Sequence, residues 1–176
     1  MVAALARVGE SALEEETGAV DEANLPILVL KDKRPGTLSA SFVLAKRRDP
    51  FAAKFFRALV EQIGHPEFIN RSDGERSLLA LKSEAVKETG KTAMPMESPV
   101  GDSQSNGDIK SAVKEAKAMV RTVKSALELN LGRVLGSKDP ILAWIPTHAA
   151  DMISRHRVGL GGSTATKGAL GRIGIG

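Results

Sequence analysis

Cysteine and tyrosine are absent from this chain of 176 residues, and aromatic residues make up only 3% of it. Without cysteine the protein has neither a disulfide framework nor a thiolate metal site, so zinc fingers are excluded. This absence agrees with a reducing compartment without proving it. Because aromatic side chains are few, we expect a core packed mainly with Leu, Val, Ile and Ala.

Long apolar runs are also lacking. The longest, such as LPILVL, fall far short of the roughly 20 residues that a membrane span needs. The start of the chain, MVAALARVGESALEEE, turns acidic too soon for a secretory signal. We therefore expect no membrane association and an intracellular protein, either nuclear or cytoplasmic. The net charge of +4 permits a polyanionic partner but does not demand one.

The composition, 42% hydrophobic and 26% charged, is typical of a soluble globular protein, and the length suits one domain rather than two. Residues 1–24 are acidic and aperiodic, which predicts a weakly structured segment. Residues 159–176 contain seven glycines, which predicts a mobile tail. A single folded domain is therefore predicted over residues 25–158.

Within that domain the sequence predicts alternating strands and helices. LPILVLKD and TLSASFVLA, joined by the turn KDKRPG, predict a β-hairpin. A helix from Pro50 to Gly64, the strand EFINRSD, a helix ending at Gly90 and the strand KTAMPM follow. A long helix then ends at Gly132, and a last helix begins after Pro140 and is bent or restarted at Pro146. This order predicts a three-layer α/β domain with a mixed sheet.

The long helix carries two stripes of opposite character. Its apolar stripe consists of Ile109, Val113, Ala116, Val120, Val123, Leu127 and Leu131. Its basic row consists of Lys110, Lys114, Lys117, Arg121 and Lys124, which span about 21 Å and could neutralise several phosphates of a nucleic acid. The alternative is a solvated helix face whose charges pair with Glu115 and Glu128. The residues alone leave both readings open.

An aspartate stands where a strand gives way to a helix. Asp73 closes EFINRSD and is followed by Gly74 and Glu75. Open α/β sheets bind ligands at the carboxyl ends of their strands, and carboxylates there commonly hold Mg²⁺. SDGE suits an N-terminal helix cap equally well. A further interpretation is an enzyme that acts on a small molecule and uses Asp73 and Glu75.

Two other features are weaker indications of a functional site. His65, His148 and His156 are scattered, and structural roles are the favoured interpretation. The segment GLGGSTATKG lacks the glycine that precedes the lysine of a phosphate-binding loop, and it follows a helix rather than a strand.

Taken in order, several segments resemble the integrase catalytic core of copia-like retrotransposons, which belongs to the ribonuclease-H-like superfamily. They are PILVLKDKRPGTLSASFV, RSDGERSLLALK, ESPVGDSQSNG, AVKEAKAMVRTVKSALELNLG and HAADMISRHRVG, covering roughly residues 25–160. The most specific element is SDGE followed by the SP...QSNG loop and a long helix. The resemblance implies a ribonuclease-H-like domain, here truncated at its N-terminus and degenerate. The family's first strand, which carries an aspartate, would correspond to MVAALARVG, which has none.

The resemblance also implies a chemistry. The family uses two aspartates and one glutamate to hold two Mg²⁺ or Mn²⁺ ions, which drive attack on a DNA phosphodiester during DNA integration. Asp73 matches the second aspartate, and the expected glutamate position is occupied by Lys110. The basic row, with Gln104 and Asn106 of the preceding loop, is implied to contact DNA. The family also forms oligomers, so an oligomer is among the expected states.

A lysine in place of a metal-binding glutamate changes the local charge by two units. At 4 Å and an effective dielectric constant near 20, each pair of unit charges interacts by about 4 kcal/mol, so metal binding is expected to be weak or absent. We therefore expect the chain to keep the fold and the nucleic-acid-binding surface of the family, while its catalytic site is impaired. The alternative function is a non-catalytic nucleic-acid-binding or protein-interaction module.

Overall fold

The structure is a computed structural model. It describes residues 2–7, 26–34, 36–43, 50–63, 67–72, 83–84, 87, 92–97, 107–136, 139–159 and 162–170. In chain order its elements are strands β1 (Val2–Arg7), β2 (Pro26–Lys31) and β3 (Leu38–Phe42), helix α1 (Pro50–Ile63), strands β4 (Glu67–Ser72) and β5 (Thr92–Glu97), and helices α2 (Gly107–Leu131), α3 (Ile141–His156) and α4 (Ala165–Leu170).

The five described strands form one mixed sheet in the order β3-β2-β1-β4-β5. Strand β2 runs antiparallel to both β1 and β3, whereas β1, β4 and β5 are parallel to one another. Strand β1 therefore occupies the centre of the sheet. Its Val2 pairs with Lys31 of β2 on one side and with Arg71 of β4 on the other.

The central position of β1 corrects one expectation from the sequence. Residues 1–24 are predicted to be weakly structured, yet Val2–Arg7 forms a strand paired on both sides, in the segment that the resemblance aligns with the family's first strand. The prediction rests on the acidic residues that follow Arg7 in the sequence, whereas VAALA by itself is apolar enough for a buried strand. Residues 8–25 lie outside the described part. None of the residues Val2–Arg7 is acidic, so this strand offers no carboxylate.

Strand β2 is buried on both faces. Because successive side chains of a strand point to opposite faces, Ile27 and Val29 enter one core while Leu28 and Leu30 enter another. The first core also contains β3, α2 and α3, and the second contains α1 residues such as Phe56. The side chains of these four residues are at most 1% exposed. Their burial contributes roughly 6–12 kcal/mol to the free energy of folding, as an upper estimate. Helices thus cover both faces of the sheet.

Most predicted elements are confirmed within the described residues. The hairpin, both later strands and the helices α1, α2 and α3 occupy the predicted segments. Pro50 is the first residue of α1, where a helix has no partner for the backbone N–H that proline lacks. Gly132 follows α2 with a φ of 64°, a conformation that other residues adopt only at a cost in free energy. Of the helix predicted to end at Gly90, Ser83, Glu84 and Lys87 are helical and the rest lies outside the described residues.

Two expectations about the C-terminal part need correction. Helix α3 continues through Pro146 from Ile141 to His156, so it does not restart there, and the alternative of a bend stays a prediction. The predicted mobile tail contains helix α4, and its Ala165 is buried. A bridge between Val158 and Thr164 folds this segment back before α4 begins. Small residues such as Ala165 fill a space that sequence composition does not reveal.

Helix α3 covers the open edge of β3 with hydroxyl groups. Ser154 accepts a hydrogen bond of 2.9 Å from the backbone N–H of Leu38 and donates one of 3.0 Å to the Leu38 carbonyl. Thr147 donates a hydrogen bond of 3.1 Å to the carbonyl of Ala40. Both β3 residues belong to the set whose polar groups point away from β2, so α3 satisfies backbone groups that the sheet leaves unpaired.

Replacing Ser154 with alanine leaves both Leu38 groups without their partner in a buried site. We expect Ser154→Ala to lower the free energy of unfolding by about 1–3 kcal/mol. Urea unfolding followed by circular dichroism measures the change. Ser125→Ala, at an exposed position of α2, is the matched control and should stay within about 0.5 kcal/mol of the wild type. Equal stability of the two variants would contradict the role of the Ser154 hydroxyl.

Candidate nucleic-acid interface

Helix α2 packs on β1 and β2 through one apolar stripe and contacts α3 beside it. The buried residues of the stripe are Ile109, Ala112, Ala116 and Val120. The small side chains in its middle allow the helix to approach the sheet closely. Leu131, which the sequence placed in the same stripe, is 50% exposed, so the buried contact ends before the helix does.

One flank of α2 is acidic and tied to neighbouring elements. Asp108 forms an ion pair of 2.9 Å with Lys33 of the turn between β2 and β3. Glu115 pairs with Arg157, which follows α3. Both partners belong to the side of the sheet where β3 lies, since α3 packs on β3. The acidic flank therefore faces the β3 edge.

The basic row lies on the other flank. At about 100° per residue, Lys110 and Lys114 project from the opposite side of the buried stripe to Asp108 and Glu115. Given the strand order, that side is the one on which β1 and β4 follow β2. Of the row, Lys110, Lys114 and Arg121 are exposed, and Lys117 and Lys124 are half-buried.

The first turn of α2 lies beside the turn that follows β2. Lys31, Val2 and Arg71 lie side by side across the sheet, and β4 ends one residue later at Ser72. Because β2 runs in the opposite direction to β4, Lys33 lies on the other side of this level from Ser72, and it contacts the start of α2 through Asp108. The flank orientation places Lys110 on the side of α2 that faces β1 and β4.

Three of the site residues named from the sequence, Asp73, Gln104 and Asn106, lie outside the described residues. Ser72, which precedes Asp73 in the chain, pairs with Ala3 of β1 and Glu97 of β5. The structure thus describes the sheet up to the residue before the predicted ligand. The role of Asp73 stays a prediction.

The residues that the structure describes do not fit a centre of two metal ions. They contain no group of three or more His, Asp or Glu side chains arranged to hold a metal ion. Strand β1 contributes apolar residues and one arginine, and Lys110 brings a cation to the position where the resemblance expects a glutamate. Mg²⁺ in proteins is usually held by one or two carboxylates together with waters and phosphates, and neither β1 nor Lys110 supplies a carboxylate.

One cation of the basic row, Lys124, is engaged in an ion pair within α2. Lys124 donates a hydrogen bond of 2.7 Å to Glu128, which also accepts one of 2.9 Å from the backbone N–H of Leu135. The hydrogen bond from Lys124 has the larger effect and the one from Leu135 the smaller, and both lower the pKa of the Glu128 carboxyl below its usual value. No ion pair involves Lys110 or Lys114 within the described part of the chain. Lys110 and Lys114 are therefore exposed cations at the start of the helix.

Sequence reasoning missed the two ion pairs on the acidic flank of α2. KDKRPG predicts a turn and no ion pair, and no sequence pattern singles out Arg157. A basic turn and an acidic residue in the first turn of a later helix were visible signals. Their pairing needed the strand order, because Lys33 and Asp108 are 75 residues apart in the sequence.

The ion pair with Lys33 makes a prediction about Asp108. The hydrogen bond from Lys33, and then its charge, hold the pKa of Asp108 below its usual value. Because the folded-state pKa is lowered, the pair contributes stability above the unfolded-state pKa of about 3.9 and loses it as the pH falls through the folded-state value. We expect Lys33→Ala to raise the pKa of Asp108 towards the usual value, as measured by carbon-detected NMR titration.

Arg34→Ala provides the control, because it removes the same charge from the same turn and Arg34 makes no ion pair with Asp108. An unchanged pKa of Asp108 in Lys33→Ala, or an equal rise in both variants, would mean that the direct contact does not set it.

No protein-family model and no curated protein matches the chain. Among solved structures, it is similar to the catalytic core domain of BIV integrase, with a TM-score of 0.55 and 14% sequence identity over 86% of this chain and 89% of that one. At this identity the likeness shows the fold, and the β3-β2-β1-β4-β5 sheet with helices packed on it agrees. The chain therefore has a mixed α/β fold similar to that of an integrase catalytic core.

Proposed function

We propose that this chain is a catalytically impaired integrase-core domain of copia-like retroelement type that binds DNA along the basic row of α2. The observation that carries the proposal is the position of the row. On an integrase-core fold, exposed Lys110 and Lys114 begin a line of cations on the flank of α2 that faces β1 and β4. A solved structure of similar fold bears the name of an integrase catalytic core.

The charge and length of the row suit a phosphate backbone. Helix α2 rises about 1.5 Å per residue, so the row extends over about 21 Å, and double-stranded DNA carries one negative charge per roughly 1.7 Å of axis. The beginning of the row is the part with exposed lysines and without described ion pairs. Contacts of this kind bind the backbone without reading sequence.

The impaired chemistry follows from the residues that would have to hold metal. Strand β1 supplies no carboxylate, and Lys110 adds a positive charge on the flank of α2 that faces β1 and β4. A cation there opposes a divalent ion and can neutralise a neighbouring carboxylate instead. Lys110 is thus proposed to interact electrostatically with Asp73 and with DNA phosphates.

Double replacement of Lys110 and Lys114 by alanine tests the interface. The wild type should bind a duplex of about 20 base pairs with an affinity that falls as salt rises, and the variant should lose about 1.8 units of the slope of log K against log salt, because two phosphate contacts are removed. Fluorescence anisotropy at about 50 to 200 mM salt measures this. The further change of Lys117, Arg121 and Lys124 should weaken binding again.

Lys54→Ala/Arg57→Ala removes the same charge from α1, on the other face of the sheet, and is the matched control. It should keep the wild-type slope. Wild-type affinity indifferent to salt, or an equal loss in both double variants, would refute DNA binding along the row.

A second experiment tests the chemistry. The purified chain, incubated with Mg²⁺ or Mn²⁺ and labelled donor and target duplexes, should give no strand-transfer product. Lys110→Glu alone should not create activity, since β1 still offers no carboxylate. Calorimetry should show no tight binding of two metal ions to either protein. Products from the wild type, or tight binding of two ions, would overturn the proposal that the site is impaired.

A protein-interaction module is the second candidate. It is favoured by large apolar side chains that the described surface exposes, namely Leu129, Leu131, Val134, Trp144 and Val158. Trp144 stacks on His148 with ring centroids 4.1 Å apart, which presents a rigid aromatic face. Among the described helices, none has the length and apolar character to cross a membrane.

A further inference from the structure

The two flanks of α2 differ in how their neighbouring cations are used. On the β3 side, Lys33 and Arg157 come from two different elements, and each is held by a carboxylate of α2. On the β1 and β4 side, Lys110 and Lys114 are exposed without a described ion pair. The start of α2 is therefore bordered by positive charge on both sides, but only one side is left open to an external anion.

More cations lie near the closed side. Helix α3 runs antiparallel to β3, because Thr147 contacts Ala40 whereas Ser154 contacts Leu38. The end of α3, with Arg155 and Arg157, consequently lies near the turn that carries Lys33 and Arg34. Arg155 is itself paired with Asp151. Without the carboxylates, this region would form a second cationic surface beside the row.

The two ion pairs are accessible to solvent. The side chains of Lys33 and Asp108 are 44% and 58% exposed, and that of Arg157 is 54% exposed. Exposed ion pairs of this kind contribute little to stability, with typical values of about 0–1 kcal/mol. Their charges nevertheless face the solvent from which a polyanion approaches, and a charge that repels a wrong position is an effective source of specificity.

We propose that Asp108 and Glu115 determine where a nucleic acid binds, by holding Lys33 and Arg157 in ion pairs so that the phosphate backbone is confined to the flank of Lys110 and Lys114. The proposal rests on the proposed DNA binding along α2. It assigns to two acidic residues the orientation of the duplex relative to the sheet. A phosphate group near Lys33 would have to displace the Asp108 carboxylate, whereas one near Lys110 displaces only water and counterions.

The test removes the carboxylates without changing side-chain size. Asp108→Asn and Glu115→Gln, singly and together, are compared with the wild type in the salt titration of duplex binding. Each freed cation that reaches a phosphate should steepen the slope of log K against log salt by about 0.9, and should tighten binding by up to roughly eightfold near 0.1 M salt. The double variant should also retain binding when Lys110 and Lys114 are replaced by alanine, because the second surface is open.

Glu61→Gln is the matched control. Glu61 forms an exposed ion pair with Arg57 on α1, on the opposite face of the sheet, so its change alters net charge equally. This variant should keep the wild-type slope. Adding Lys33→Ala to Asp108→Asn should return the slope to the wild-type value, which shows that the gain acts through Lys33.

The outcomes separate this inference from the function on which it rests. Salt-independent wild-type binding, or binding unaffected by Lys110→Ala/Lys114→Ala, removes the proposed function and this inference together. Normal binding along the row, with Asp108→Asn and Glu115→Gln no different from Glu61→Gln, overturns the inference alone. A lower unfolding midpoint with an unchanged slope would show that the pairs only dock α2, which also overturns it.

Discussion

The structure depends on the burial of β2 on both of its faces. A strand whose successive residues Ile27, Leu28, Val29 and Leu30 are all removed from water requires apolar partners above and below the sheet. Helix α1 provides them on one face, and α2 and α3 provide them on the other. This requirement fixes which side of α2 is buried, and the buried side in turn fixes where its charged flanks point. The candidate interface is thus a consequence of the core.

Much of the fold was predictable because its signals are local. The spacing of Ile109, Ala116 and Val120 marks the buried side of α2 in the sequence, and the alternation of turns and apolar runs marks the hairpin. Strand β1 and helix α4 were not predicted, since neither has a strong local pattern. Val2–Arg7 is recognisable as a strand only through its pairing with β2 and β4, and Ala165 is buried only because the chain folds back.

The candidate site was predictable in its cations and not in its carboxylates. Helical periodicity alone aligns Lys110 with Lys114, so the basic row needs no tertiary information. The partners of Asp108 and Glu115 come from a turn and from the end of α3, and only the strand order brings them to α2. Ion pairs between residues of different elements cannot be predicted from residue spacing along the chain. That is why the sequence indicated the basic row alone as a binding surface, and the structure adds an acidic flank paired with Lys33 and Arg157.

The hydroxyl groups of Ser154 and Thr147 occupy backbone sites that would otherwise recruit a foreign strand. Edge strands left open are the places where β proteins polymerise. Since this protection comes from α3 and involves no residue of the candidate site, substitutions in that site would leave the β3 edge covered. The surface chemistry of α2 can therefore change in evolution without promoting strand-to-strand assembly at β3.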